Sequence, residues 1–302
     1  MSTSIDYVSL LTIIFVLVDD WFQAEGYKLL QGKPGSKAVF SDSEVLTLLL
    51  AQDYLPYPGE RQYIASIRAN FLREFPRLLS QSQFNRRARG VRSLLEQLRR
   101  HWLTRLGIVE PKQLLIDTKP VPVMTVTRSK RHSAFRGSAA KGYCAARDLS
   151  YFGYKLVLLT TLDGVPLCYD LVAANVDDRV AGEHLLQQVH DCDIYGDKGF
   201  LSAAWQAEVA QQTGNRVWTR KRANQVQQNP PAFDALLKQV RERIESTLHC
   251  LQNTGRNLER LLAKTVAGLC TRLIAKVTAF VLKLLLRRCF GIDVQAFSIH
   301  PI

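Results

Sequence analysis

The sequence predicts a mixed α/β protein: a helical first third, then a layer of alternating strands and helices. Three observations carry this prediction. Apolar residues recur at helical spacing through residues 1 to 108. The strand patterns Tyr151–Thr161 and Val165–Ala174 flank the turn signal Asp163-Gly164 and read as a hairpin. After the hairpin, short strands and helical stretches alternate. A chain of 302 residues is long enough for two domains. The change of texture near Gly107 places the boundary at 108/109, with a helical, arginine-rich part over 1–108 and the α/β part over 109–302.

The first apolar run, Tyr7–Val18, ends at Asp19 and Asp20. It is shorter than the roughly 18 residues of a membrane span. No basic residue precedes it and no small-residue cleavage site follows, so a buried first helix is expected rather than a signal peptide. Ser41, with Glu44 three residues on, reads as a helix start. Ser82–Leu106 reads as one long helix. Gln113–Ile116 is a short strand expected to end near Asp117, because Pro120 and Pro122 do not suit a central strand. Arg128–Arg147 holds six cations and no acid and reads as an irregular basic segment. Helices are expected over Val180–Val189, Ser202–Gln212 and Phe233–Leu251, and strands at Asp193–Gly196 and Arg216–Thr219. Leu258–Leu286 is apolar on one helical face and carries Lys264, Arg272, Lys276 and Lys283, so it reads as an amphipathic helix packed on the sheet, not a span.

Hydrophobic residues are 47% of the chain, which excludes a disordered protein. The unusual quantity is charge. Forty Lys and Arg stand against 27 Asp and Glu, a net +13, which favours a polyanionic partner, nucleic acid or an anionic membrane. Between Arg61 and Arg105 there are eleven arginines and two acids. Such a face is either solvated or a phosphate-contacting surface. No two of the six cysteines form a C-x-x-C pair, so no zinc or redox motif is present, and reduced thiols of a cytoplasmic protein are expected.

Three acids stand out by context. Asp117 ends a strand, Asp197 follows another inside Gly196-Asp-Lys-Gly-Phe200, and Glu245 lies in the basic helix segment Arg241-Glu-Arg-Ile-Glu245. Carboxylates at strand ends can converge from distant positions, hold hard divalent cations and serve phosphodiester chemistry. Each also has a plainer reading: Asp117 a turn residue, Asp197 a helix cap, Glu245 an ion-pair partner of Arg241. Cations that flank them or run together, Lys119, Lys198, Arg128, Lys130, Arg131, Arg220, Lys221 and Arg222, are candidate phosphate contacts. His184, His190 and Trp218 read as structural.

Read together, Leu115-Ile-Asp-Thr-Lys-Pro-Val-Pro122, Tyr151-Phe-Gly-Tyr-Lys155, Tyr195-Gly-Asp-Lys-Gly-Phe200 and Arg241-Glu-Arg-Ile-Glu245 resemble bacterial insertion-sequence transposases of the DDE type, in order and spacing, over residues 110 to 290. Arg241 and Glu245 fit the family's Tyr-x2-Arg-x3-Glu-x6-Lys signature, while Lys238 stands in its Tyr slot and Gln252 in its Lys slot. Glu242 is the competitor for the third carboxylate, and the Arg-x3-Glu spacing selects Glu245.

The resemblance implies a ribonuclease-H-like catalytic domain over 109–302 and an N-terminal DNA-binding and assembly domain over 1–108. It implies Asp117, Asp197 and Glu245 as catalytic metal ligands for two Mg²⁺ or Mn²⁺ ions, with Arg241 contacting phosphate or orienting Glu245. Its partners are double-stranded DNA, both terminal inverted repeats and target, bound by a dimer without a membrane, in the bacterial cytoplasm at the nucleoid. The activity implied is cutting of the transposon ends and joining of the 3′-hydroxyl to target DNA. The alternatives are an inactive DNA-binding remnant and a ribonuclease-H-like nuclease without strand transfer.

Overall fold

The structure, a computed structural model, describes residues 5–30, 38–130, 134–144 and 148–294. In chain order, α1 (Tyr7–Ala24), α2 (Asp42–Ala51), α3 (Glu60–Asn70), α4 (Gln81–Gly90) and α5 (Arg92–Arg105) come first. Then follow β1 (Gln113–Met124), α6 (Val126–Ser129), β2 (Ala140–Cys144), β3 (Leu149–Thr161), β4 (Pro166–Ala173) and α7 (Asp178–Leu186). The chain ends in β5 (Asp193–Gly196), α8 (Ala203–Thr213), β6 (Arg216–Thr219), α9 (Pro231–Asn253) and α10 (Val266–Phe290).

These elements form two compact units, Val109–Cys250 and a second made of Met1–Ile108 together with Leu251–Ile302. The stretch expected as one domain over 109–302 is therefore divided at 250/251.

In the helical unit the local signals work as the residues dictate. Ser41 caps α2 through a full capping box with Glu44. The helix expected over 82–106 is two, α4 and α5, parted at Gly90 and Val91. α1 runs on to Ala24 and buries Leu10, Leu11, Ile14, Leu17, Val18 and Trp21, packing on α2. At 18 residues it is long and apolar enough, by length and composition, to cross a bilayer, and a third of it is buried.

The C-terminal helix was expected on the sheet. α10 instead packs in the helical unit on α5, α2 and α4. Its buried side there is mostly apolar, Leu269, Leu273, Val277, Val281 and Leu285 among others, and it also carries a buried polar cluster. Lys276 is fully buried, with Nζ 2.8 Å from Asp53 Oδ1, and donates to Thr254 Oγ1 at 2.6 Å. Arg256, also buried, donates to Leu49 O and Gln52 Oε1, both at 2.6 Å. Its backbone N–H donates to Asp53 Oδ1 at 3.3 Å. Lys276 is thus the partner of an aspartate 223 positions away. Burial pulls Lys276 and Arg256 below their ordinary ranges, and Asp53 opposes that shift in both.

In the α/β unit the strands pair in the order β4-β3-β1-β5-β6, with β2 also on β3. β2 takes residues 149–153 of β3, and β4 takes most of the rest. β3 runs antiparallel to β1, β2 and β4, while β5 and β6 run parallel to β1. This is the ribonuclease-H-like sheet. At the β3–β4 turn Gly164 takes a positive φ of 81°.

β1 does not stop at Asp117. It passes through Pro120 and Pro122 to Met124, paired with β3 along that length. β5 pairs only with residues 113–115, so beyond them β1 has one neighbour. Positions 120 and 122 share parity, so both missing N–H groups fall on the open side. The basic segment 128–147, expected to be irregular, supplies the end of α6 and all of β2.

One sheet face packs Leu114, Ile116, Val157 and Leu159 against Ala181, Leu185 and Leu186 of α7 and Val209 of α8, with Phe200 among them. Each large side chain buried there is worth about 1.5–3 kcal/mol. Because side chains alternate, Thr118 and Lys155 share this face while Asp117 looks to the other.

Candidate active site

Asp117 lies midway along β1, just past the stretch paired with β5, and Asp197 directly follows the parallel strand β5, which brings two carboxylates 80 positions apart to one cleft. Ile116, Tyr195 and Gly196 line it from the sheet, and Leu237, Val240, Arg241 and Ile244 line it from α9. Leu237, Val240, Ile244 and Leu248 recur at helical spacing and are buried, which leaves Arg241 and Glu245 beside that stripe.

Backbone donors hold both acids. Thr118 N–H donates to Asp117 Oδ1 at 2.7 Å. Gly199 N–H donates to Asp197 Oδ1 at 2.6 Å, which makes Asp197 the cap of the short helical turn Lys198–Phe200. Among the described residues, neither carboxylate is hydrogen-bonded to a side-chain cation. In the Gly196-Asp-Lys-Gly-Phe200 motif the Phe200 ring is fully buried beside Gly196, where a Cβ would lie 3.0 Å from both that ring and Ile116 and press on them.

Asp117 keeps part of its surface open but is ringed by protein atoms. Burial, then the charge of Asp197, pushes its pKa up to about 7. Glu245 adds to the rise, while the Thr118 hydrogen bond and Arg241 oppose it. Protonation therefore differs between folded and unfolded chain. From about pH 4 to pH 7 the folded state binds more protons, so stability falls as pH rises through that window. Asp117→Asn is expected to raise the melting temperature of metal-free protein at pH 8, with the gain vanishing near pH 4; a thermal melt at both pH values checks this.

Glu245 belongs to the same electrostatic neighbourhood, but its carboxylate is paired with Arg241 at 2.8 Å, with both side chains about half exposed. Among the described residues no three His, Cys, Asp or Glu side chains form a ready metal site. The plainer readings of Asp197 as a cap and Glu245 as an ion-pair partner thus describe their present contacts. Glu242, the competitor, is exposed on α9, as is Lys238; Gln252 is half-buried.

The candidate phosphate contacts fall into groups. Lys119 is half-buried on β1, and Lys198 is exposed beside Asp197. Arg128 and Lys130 are exposed at α6, whereas Arg131 lies outside the described residues. Arg220 is half-buried and 4.0 Å from Asp234, Lys221 is half-buried, and Arg222 is exposed. Trp218 donates from its indole to Asp193 at 2.8 Å and meets Phe233 edge-on, but it is exposed rather than a core tryptophan. His184 faces Asp170 at 3.0 Å.

Sequence reasoning missed Asp178. Its carboxylate lies beside Gly199 and accepts from Lys155 and from Thr118. The signal was present as two aspartates at the start of a helix, after a motif that ends in Lys155.

No curated protein matches the chain in sequence. Among solved structures, the Mos1 transposase paired-end complex with left transposon end aligns at 13% identity over 80% of this chain and 88% of that chain, with a TM-score of 0.22. At that score the strand order above, not the alignment, carries the fold. Residues 109–282 match the family described as Transposase DDE domain. That stretch is more than half of the chain and contains Asp117, Asp197 and the Arg-x3-Glu segment of α9, so the chain belongs to the DDE transposases.

Proposed function

We propose that this transposase serves an insertion sequence, cutting the ends of the element and joining the freed 3′-hydroxyl to target DNA in one site built on Asp117, Asp197 and Glu245. The observation that carries the reading is the convergence of Asp117 and Asp197 in one cleft, with backbone N–H donors and no basic side chain on either.

That donor set, anionic oxygens in a half-buried cleft, fits Mg²⁺ or Mn²⁺. Asp117 and Asp197 would hold the ions, with Glu245 as third ligand once its pair with Arg241 opens. When bound, two such ions activate the attacking oxygen and stabilise the leaving one. The chain's own groups do the rest. Thr118 and Gly199 amides fix the orientation of the two carboxylates. Leu237, Val240 and Ile244 wall the cleft. Arg241, released from Glu245, faces the incoming phosphate, flanked by Lys119 and Lys198. Lys238 and Gln252 leave the three acids untouched.

The test is a labelled duplex carrying the element's terminal repeat, incubated with Mg²⁺ or Mn²⁺. A nick at the repeat boundary and joining of a pre-cut 3′ end support the reading. Nicking without joining would indicate a nuclease, and binding alone a remnant. Paired ends imply a dimer on DNA. If Arg128, Lys130, Lys221 and Arg222 contact phosphates, neutralising any one should flatten the log–log salt dependence of binding by about one. An unchanged slope returns that residue to the solvated surface.

A further inference from the structure

Behind the two acids lies an ion pair that the reaction, as outlined above, does not use. Lys155 Nζ is 2.6 Å from Asp178 Oδ1 and donates to Val176 O at 2.8 Å. Neither side chain is well exposed, at 17% for Lys155 and 26% for Asp178. Thr118 Oγ1 also donates to Asp178 Oδ1, at 3.3 Å. The other oxygen, Oδ2, occupies the space a side chain at position 199 would need: a Cβ on Gly199 would lie 2.5 Å from it and 2.9 Å from Asp197 Oδ1.

Besides Lys155, Asp178 meets the two residues whose amides hold the candidate reactive carboxylates. Thr118 holds Asp117 through its N–H and meets Asp178 through its hydroxyl. Gly199 holds Asp197 through its N–H and packs its Cα on Asp178. Asp178 opens α7, and Lys155 reaches it from β3, so the pair ties together β1, β3, α7 and the turn after β5. Its charge matters as well. An unpaired Asp178 would be a third anion beside two that already repel, and Lys155 neutralises it.

We propose that Lys155 and Asp178 are positioning residues that set the separation and orientation of Asp117 and Asp197. The inference rests on the reading of those two acids as the reactive pair. Its test compares Lys155→Met, Asp178→Asn, the double variant and Lys155→Arg. Each neutralising single variant should slow single-turnover cleavage about 10- to 100-fold, the scale of a misplaced reactive group. Affinity for end DNA should stay within about twofold, so the loss falls on the rate and not on binding. The double variant, with no charge left unpaired, should recover part of the rate, and Lys155→Arg most of it. Apart from activity, the rise in melting temperature produced by Mn²⁺ without DNA should shrink in both single variants.

Rates and Mn²⁺ responses within about twofold of wild type in both singles would overturn the proposal. If Lys155→Met does not fold, Thr118→Val breaks the link from Asp178 to β1 without altering a charge, and a wild-type rate there overturns it equally. Asp117→Asn separates the two ideas: full cleavage by that variant removes the reading of the site, whereas its inactivity beside normal Lys155 and Asp178 variants removes the positioning role alone.

Discussion

Asp117→Asn and Asp197→Asn should each abolish metal-dependent cleavage while leaving DNA binding in place. The isosteric amide keeps an oxygen to accept from Thr118 or Gly199, so the local backbone is preserved. What disappears is an anionic ligand in a site whose chemistry depends on charge stabilisation worth several kcal/mol, so the rate should fall about 10³-fold or more. Binding to end DNA should hold or strengthen, since a negative charge near phosphate is lost. Glu245→Gln should behave the same way and Glu242→Gln should not. If Glu242→Gln inactivates and Glu245→Gln does not, the third ligand moves by three residues. Cleavage by Asp197→Asn within about tenfold of wild type would remove the assignment altogether.

The second large effect is on stability. Asp53→Ala should cost the helical unit about 3–5 kcal/mol, read as a lower urea midpoint. The ammonium of Lys276, fully buried, would lose its counter-charge, and the backbone N–H of Arg256 would lose an acceptor. Lys276→Met should cost less. Asp53 would still accept from Arg256 N–H and from the Thr254 hydroxyl at 2.9 Å, and the methionine fills similar space. Coupling between the two changes should be large, because they share one contact. A loss below about 1 kcal/mol for Asp53→Ala would mean that water reaches the cluster.

What was legible in the sequence was local. The Ser41 and Glu44 capping box and the Asp163-Gly164 turn lie within a few residues of what they specify. The course of β1 was not legible. A proline forbids a strand only where its missing N–H faces a neighbour, and which side of β1 is open depends on β5, 70 residues further on. The environment of Lys276 was not legible for a related reason. It stands three residues after Leu273 and four before Phe280, beside the apolar stripe, and its counter-charge Asp53 is far away in the sequence. The candidate acids Asp117, Asp197 and Glu245 were picked out by the order of several short motifs, since three acids among 27 carry little signal alone. Asp178 escaped because a helix-start aspartate has an ordinary local explanation, and its contacts with Thr118 and Lys155 come from strands.

The division of the chain has a consequence for its synthesis. Because the helical unit draws on both Met1–Ile108 and Leu251–Ile302, the α/β unit is inserted between its two parts. A ribosome emits residues in order, at about 5–20 per second, so Val109–Cys250 can be complete while the helices before it still lack α10. For that interval of several seconds the apolar surfaces of α2, α4 and α5 that later meet α10 are uncovered, and Asp53 waits for its lysine.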